Sequence, residues 1–146
     1  MKRRDFIKST CLTCVGSIGA AWLLQACTSQ KYITNITVKE NRIIIKKSEF
    51  SVLKKDKTIQ QKFILVKPVN IQFPIAVYKL NENDYKALYL QCTHQGCELS
   101  PHETLMVCPC HGAEFNPNGE VITGPAETNL KTFLTSTDNE NIYIQL

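Results

Sequence analysis

Two short segments rich in cysteine and histidine constrain the fold of this chain more than any other feature. The first is Cys92-Thr-His94-Gln-Gly-Cys97 and the second is Cys108-Pro-Cys110-His111-Gly112. Each follows a run of β-forming residues and contains a glycine, which predicts two turn-rich loops at the ends of strands. Such a concentration of thiols and imidazoles predicts that the two loops meet around a metal centre, a disulfide framework or a reactive cysteine.

Several chemistries fit these residue types. A structural zinc site would use four of the six side chains. Covalent haem attachment needs C-x-x-C-H, and Cys108-Pro-Cys110-His111 is one residue short of it. An exported domain would form disulfide bonds, and a cysteine nucleophile would need a histidine beside it. One cysteine and one histidine per loop, with a further cysteine in each, is a more symmetrical set than zinc requires.

The rest of the chain predicts an antiparallel all-β domain. Short runs of β-branched and aromatic residues alternate with turn residues, and no segment from residue 30 onward has a helical period. Asn118-Gly119 predicts a hairpin. The predicted strands are Arg42–Lys46, Lys62–Lys67, Ile75–Leu80, Tyr85–Gln91, Glu103–Val107, Val121–Thr123, Lys131–Leu134 and Asn141–Gln145.

Taken together, C-T-H-x-G-C followed by C-P-C-H-G resembles the Rieske iron–sulfur family, and the resemblance extends from Tyr89 to Ala126. It implies a Rieske-type antiparallel β-sandwich over residues 42–146. A small two-loop cluster-binding subdomain would occupy about residues 89–126 of that domain. The implied function is the transfer of single electrons.

The resemblance also implies one [2Fe–2S] cluster as the cofactor. Its metal ligands would be Cys92 and Cys108 on one iron and His94 and His111 on the other. The remaining two cysteines of the loops, Cys97 and Cys110, would form a disulfide bond that joins them. The third histidine, His102, is expected to face solvent in the intervening loop.

Four nearby residues, Ala113, Phe115, Gly124 and Pro125, are expected to tune the cluster. High-potential respiratory members of the family place a serine and a tyrosine where this chain has Ala113 and Phe115. Hydroxyl groups that donate to the cluster sulfurs stabilise the reduced state, so their absence predicts a lower reduction potential. Gly124-Pro125-Ala126 resembles the proline-containing loop that covers the cluster in that family.

Residues 1–27 are typical of an export signal. Arg3-Arg4-x-Phe6-Ile7-Lys8 resembles a twin-arginine signal and precedes an uncharged, apolar stretch. Leu24-Gln25-Ala26-Cys27 resembles a lipobox, which would make Cys27 the lipidated residue. The alternatives are a single membrane span over Ser9–Gln30 and a plain cleaved signal. Residues 28–41 are expected to form a tether or an edge strand, with the domain anchored on the extracytoplasmic side.

Charge is distributed unevenly along the chain. The first ten residues contain four basic side chains and one acid, which supplies most of the net charge of +4, so a nucleic-acid-binding role is excluded. Residues 39–62 contain eight basic side chains against three acids, whereas residues 81–146 contain two against nine. Such asymmetry is suited to orienting the domain towards a partner.

These features predict an electron-transfer subunit of an oxidoreductase rather than an enzyme on its own. The favoured assembly is a quinol-oxidising complex of the cytochrome bc type, with the membrane, quinol and a cytochrome as partners. One alternative is the small Rieske subunit of an exported oxidoreductase that resembles arsenite oxidase. Another is a stand-alone periplasmic electron carrier.

Overall fold

A computed structural model describes residues 32–146, whose regular secondary structure is almost entirely β-strand. The signal and the expected lipidation site, Cys27, lie outside the described residues. A short 3₁₀ helix spans Lys47–Phe50. The strands are β1 (Tyr32–Ile33), β2 (Thr37–Lys39), β3 (Arg42–Lys46), β4 (Ser51–Lys54), β5 (Lys57–Gln60), β6 (Phe63–Val66), β7 (Ile75–Lys79), β8 (Tyr85–Tyr89), β9 (Ser100–Pro101), β10 (Met106–Val107), β11 (Glu114–Phe115), β12 (Val121–Thr123), β13 (Thr132–Phe133), β14 (Thr135–Thr137) and β15 (Asn141–Gln145).

A five-stranded sheet in the order β1-β6-β7-β8-β13 forms the middle of the domain. Its strands pair antiparallel except for β1, which runs parallel to β6 at the edge. Strands β6, β7 and β8 are apolar along nearly their whole length because both faces of this sheet are covered. Successive residues therefore point into two different cores.

A four-stranded sheet in the order β14-β15-β3-β2 covers one face of the middle sheet. Strands β3 and β15 each place two fully buried isoleucines between more exposed residues, the alternation expected of a half-buried strand. This first core consists of Ile43, Ile45, Phe50, Ile64, Val66, Ile75, Val77, Tyr85, Ala87, Phe133, Ile142 and Ile144.

The opposite face of the middle sheet is covered by a smaller four-stranded sheet, in the order β12-β11-β10-β9. The two cysteine–histidine segments flank β9 and β10 of this sheet, so two of their cysteines, Cys92 and Cys108, are part of the core beneath it. The second core consists of Leu65, Ala76, Tyr78, Leu88, Leu90, Cys92, Leu99, Met106, Cys108, Ala113, Phe115, Ala126 and Leu130.

The all-β prediction is confirmed, and three predicted strands, β3, β12 and β15, have the predicted bounds. The prediction over Glu103–Val107 is wrong for its first half, because the His102 N–H donates to the Leu105 carbonyl in a tight turn. Within residues 28–41 the structure has β1 and β2, each at the edge of a sheet. No helix within residues 32–146 has the length and apolar character needed to cross a membrane.

Candidate metal centre

Two loops, loop one (Cys92–Cys97) and loop two (Cys108–Ala113), share one hydrogen-bonding pattern. In loop one the Cys92 N–H donates to the Cys97 carbonyl at 2.8 Å, and the Gly96 N–H donates to the Cys92 carbonyl at 2.9 Å. Loop two repeats both bonds at the same offsets, from Cys108 to Ala113 at 2.8 Å and from Gly112 to Cys108 at 3.0 Å. The first cysteine of each loop is therefore held in the same local backbone arrangement.

A glycine closes each loop in a left-handed conformation. Gly96 has a φ of +75° and Gly112 a φ of +74°, a region in which a residue with a Cβ is strained. This conformation reverses the chain so that the next residue can accept the N–H of the first cysteine. The glycine at the fifth position of each loop is thus explained by backbone geometry.

A disulfide bond between Cys97 and Cys110 joins the two loops. The bond connects the sixth residue of loop one to the third residue of loop two. It leaves Cys92 and Cys108 as free cysteines, and both are buried. The disulfide inferred from the family resemblance is therefore present in the structure.

The Cys92 and Cys108 side chains lie against each other in the second core, with 2% and 1% of their surfaces exposed. Burial raises the pKa of the Cys92 thiol, and hydrogen bonds from the backbone N–H groups of His94 and Gln95 act in the opposite direction. Backbone donors aimed at a buried sulfur are suited to a thiolate that binds a metal ion. Metal binding itself requires the deprotonated form.

The His94 and His111 rings lie next to each other on the surface. Their ring centroids are 4.9 Å apart and their planes are nearly perpendicular, at 83°. Both residues are exposed, in contrast to the two thiols. The donor set is therefore divided into a buried sulfur pair and an exposed nitrogen pair, which fits a two-iron cluster with unlike ligands on its two irons.

A further group of three sulfurs, from Cys97, Cys108 and Cys110, lies within 4.8 Å. Two of these sulfurs are bonded to each other in the disulfide and have no thiolate to offer. Only Cys108 of this group is available as a ligand, so the group is not a second metal site.

Of the positions expected to tune the site, Ala113 and Phe115 lie beside Cys108 in the second core. Ala113 ends loop two and Phe115 follows in β11, and both are fully buried in the same core as Cys108. Gly124 and Pro125 are exposed and joined by a cis peptide bond. The following segment returns to loop one, where the Thr93 hydroxyl donates to the Thr128 carbonyl at 2.6 Å.

Sequence reasoning missed two supports of the loops, the Thr93 hydrogen bond and a buried tyrosine. The Tyr78 hydroxyl donates to the His102 carbonyl at 2.7 Å and holds the turn between the two loops against the middle sheet. Burial raises the pKa of Tyr78 well above its ordinary value, so it remains a donor. His102 itself is exposed, as predicted. The only sequence signal for Tyr78 is a polar tip in an otherwise apolar strand.

The family model of the Rieske [2Fe-2S] domain matches residues 43–134 of this chain. The chain belongs to the Rieske family. A Rieske domain binds one [2Fe–2S] cluster, and the divided donor set described above fits that cofactor. The protein is therefore an electron-transfer protein of the Rieske type.

Similar proteins include the cytochrome b6-f complex iron-sulfur subunit of Synechococcus sp. (strain JA-3-3Ab), which is 42% identical over 53 residues. The corresponding subunit of Prochlorococcus marinus (strain MIT 9303) is 36% identical over 55 residues. These matches cover 35% and 36% of this chain and 31% of each relative, so the chain aligns with about a third of the length of these curated relatives.

Among solved structures, the plasma membrane Rieske protein PetC3 from Synechocystis PCC 6803 is similar, with 32% identity and a TM-score of 0.51. The superposition covers 58% of this chain and 87% of that chain. The Rieske fold expected from the sequence is thus confirmed over most of the length of that relative.

Proposed function

We propose that Cys92 and Cys108 hold one iron of the cluster and that His94 and His111 hold the other. The observation that carries the proposal is the division of the donors. The two thiols contact each other inside the core, and the two imidazole rings contact each other at the surface. The cluster, when bound, supplies one-electron chemistry at a potential raised by its neutral histidine ligands.

A redox partner docks on the face of this site that carries the two exposed histidines. An imidazole that binds iron through one ring nitrogen keeps the other nitrogen for a hydrogen bond. In this chain that second nitrogen would meet a partner's donor or acceptor at the surface. The buried thiols, in contrast, are shielded from exchange with solvent.

The wider role proposed here is that of a subunit of a quinol-oxidising complex of the cytochrome bc type. The support is the similarity to iron-sulfur subunits of cytochrome b6-f complexes. The proposed location is the extracytoplasmic face of the cytoplasmic membrane, with attachment through Cys27. A quinol would donate at His94 and His111, and a cytochrome would accept the electron.

Pulsed electron paramagnetic resonance of the reduced protein tests the ligand set. Two strongly coupled nitrogen nuclei are expected, because both imidazoles would be bonded directly to iron. His94→Ala or His111→Ala should abolish this pair of couplings, together with most of the cluster. The matched control is His102→Ala, which changes an exposed histidine outside both loops and should leave the spectrum unaltered. A wild-type spectrum without nitrogen couplings would overturn the assignment.

Purification from membranes tests the complex. After mild detergent extraction, a protein tagged at its carboxyl end should co-purify with b-type haem in a defined ratio, and quinol should reduce its cluster. Recovery of the holo-protein without any haem protein would refute membership of such a complex, although it would leave the ligand assignment intact.

A further inference from the structure

The hairpin of β4 and β5, Ser51–Gln60, stands apart from both cores. Its two strands pair only with each other in the sheet arrangement of residues 32–146. Leu53 is 75% exposed and Ile59 is 46% exposed, on opposite faces of the hairpin. Aliphatic side chains on both faces of an isolated hairpin are more than folding of this domain requires.

The tip of the hairpin concentrates positive charge. Lys54 and Lys57 are directly opposed across the strands, an arrangement that disfavours the hairpin by like-charge repulsion. Among residues 32–146 the structure has one ion pair, between Lys79 and Glu82, so the tip lysines have no acidic partner in that range. Asp56 lies between them in the chain and offsets only part of their charge.

The turn of this hairpin, at Lys55 and Asp56, has a conformation that favours other residue types. Lys55 and Asp56 have φ values of 49° and 60°. Two successive left-handed residues form a tight hairpin turn in which Asn-Gly is the preferred pair. A lysine at the first position therefore costs stability and adds a third positive charge at the tip. The combination indicates that the charge serves an external contact.

Beside the hairpin lies an open groove of about 810 Å³ that is also lined by lysine and apolar side chains. Lys54 and Lys62 line it together with Ile59 and Phe63. The lining also includes Ser100–Glu103, which comprises β9 and the start of the turn after it, and Glu103 is the acidic side chain of the lining. The part of the hairpin that lines the groove thus has Lys54 at the tip and the aliphatic Ile59 farther along β5.

The hairpin also lies where the chain enters the domain. A second pocket is lined by both Tyr32–Asn35 and Ser51–Leu53, so β1 and the hairpin are neighbours. Cys27 precedes Tyr32 by five residues, which corresponds to at most about 18 Å of extended chain. A domain attached to the membrane through Cys27 would therefore hold this hairpin close to the lipid surface.

We propose that the β4–β5 hairpin binds the surface of a bilayer that contains anionic phospholipids. The lysines at the tip contact lipid phosphates, and Leu53 and Ile59 enter the interfacial region from the two faces of the hairpin, so that electrostatic attraction and apolar burial both favour binding. A bilayer fits better than an acidic protein because aliphatic residues lie on both faces and the proposed anchor is close. The inference rests on the proposed membrane attachment. The contact between the hairpin and the bilayer would fix the orientation of the cluster domain.

Chemical footprinting of the lipidated, cluster-loaded protein tests the contact. The protein is placed in vesicles of phosphatidylcholine alone or with phosphatidylglycerol, and lysines are acylated with a water-soluble ester. In the anionic vesicles, acylation of Lys54, Lys55 and Lys57 should fall at least about threefold. Amino groups that contact lipid phosphates are shielded from the water-soluble ester. Lys86 on β8 is the internal control and should not change. Equal acylation in both vesicles would overturn the proposal.

A charge-matched pair of variants gives a second test in a Cys27→Ser chain, which cannot be lipidated. Lys54→Gln, Lys55→Gln and Lys57→Gln together should weaken flotation with anionic vesicles roughly tenfold. The control, Lys39→Gln, Lys46→Gln and Lys67→Gln, removes the same charge elsewhere, and an equal loss there would refute a role for the hairpin. Flotation of the wild-type chain with phosphatidylcholine reports the anchor alone, and the reduced-cluster spectrum reports the electron-transfer site. Failure of either is therefore distinguishable from failure of the hairpin.

Discussion

The two cluster loops have one backbone design and two different sets of side chains. Loop one, Cys92–Cys97, and loop two, Cys108–Ala113, make the same pair of hydrogen bonds and close with the same left-handed glycine. They share residues only at the first position, a cysteine, and the fifth, a glycine. The difference shows that the backbone requires these two residues, while the other four positions are free to specialise.

Specialisation places the same groups at different positions. Histidine is third in loop one and fourth in loop two, and the disulfide cysteine is sixth in loop one and third in loop two. Cys97 and Ala113 are consequently equivalent positions. One forms the covalent link between the loops, and the other fills the core beneath the site. The variants below test what each loop contributes to the site.

The largest effect is expected from unpairing the disulfide on one side only. In Cys110→Ser the released Cys97 thiol lies within 4.8 Å of the Cys108 sulfur. In air we expect these two thiols to lose two electrons and two protons to dioxygen, which gives hydrogen peroxide and a new disulfide and removes a proposed iron ligand. The double variant Cys97→Ser plus Cys110→Ser has no thiol left to compete. It should lose only about 3 kcal/mol of stability, the typical effect of a link closing a loop of this size.

Iron content per protein and mass spectrometry of the cysteine pairings measure this difference. The single variant should contain several-fold less cluster than the double variant. If the double variant retains no more iron than the single one, the disulfide is needed for cluster retention in itself. Mispairing would then not be the cause of the loss.

The next effect concerns Ala113, which occupies the position equivalent to Cys97, and Phe115, which lies in β11 after loop two. Ala113→Ser and Phe115→Tyr together should raise the reduction potential by on the order of 50 mV for each hydroxyl that donates to a cluster sulfur. Protein-film voltammetry measures the shift. Because both sites are fully buried, the thermal unfolding midpoint is measured alongside, and the paired control is Ala113→Gly with Phe115 unchanged. A folded double variant with an unaltered potential would contradict this account of tuning.

The loops were easier to predict from sequence than the scaffold that supports them. Cysteine and histidine spacing is a local signal, and it carried the family resemblance, the ligand hypothesis and the disulfide that the structure contains. The hairpin Ser51–Gln60 was missed because its exposed, lysine-rich strands lack a buried face to impose an alternating pattern. Contacts such as Tyr78 with His102 join distant parts of the chain, and no local pattern encodes them.

A smaller difference is expected between the two glycines. Alanine at either position must adopt a left-handed φ, which costs about 1 kcal/mol. At Gly96 the new Cβ would also lie 3.2 Å from the Gln91 Nε2 atom, whereas at Gly112 nothing lies within 4 Å. Gly96→Ala should therefore unfold at a slightly lower temperature than Gly112→Ala. Gly96→Ala combined with Gln91→Ala removes the close contact and should abolish the difference in unfolding temperature. If the difference persists, its cause is the backbone conformation at Gly96 and not the contact with Gln91.

The smallest effect tests a tie that loop one has and loop two lacks. The Thr93 hydroxyl donates to the Thr128 carbonyl, whereas the equivalent second position of loop two is Pro109, which has no donor. Thr93→Val keeps the shape of the side chain and removes this bond, which should lower stability by about 1 kcal/mol. Thr93→Ser keeps the hydroxyl and should retain most of that stability. Because the bond joins loop one to the segment after Pro125 and involves no ligand atom, the spectrum of the reduced cluster should be the same in both variants. A spectral change confined to Thr93→Val would show instead that the position of this covering segment reaches the cluster.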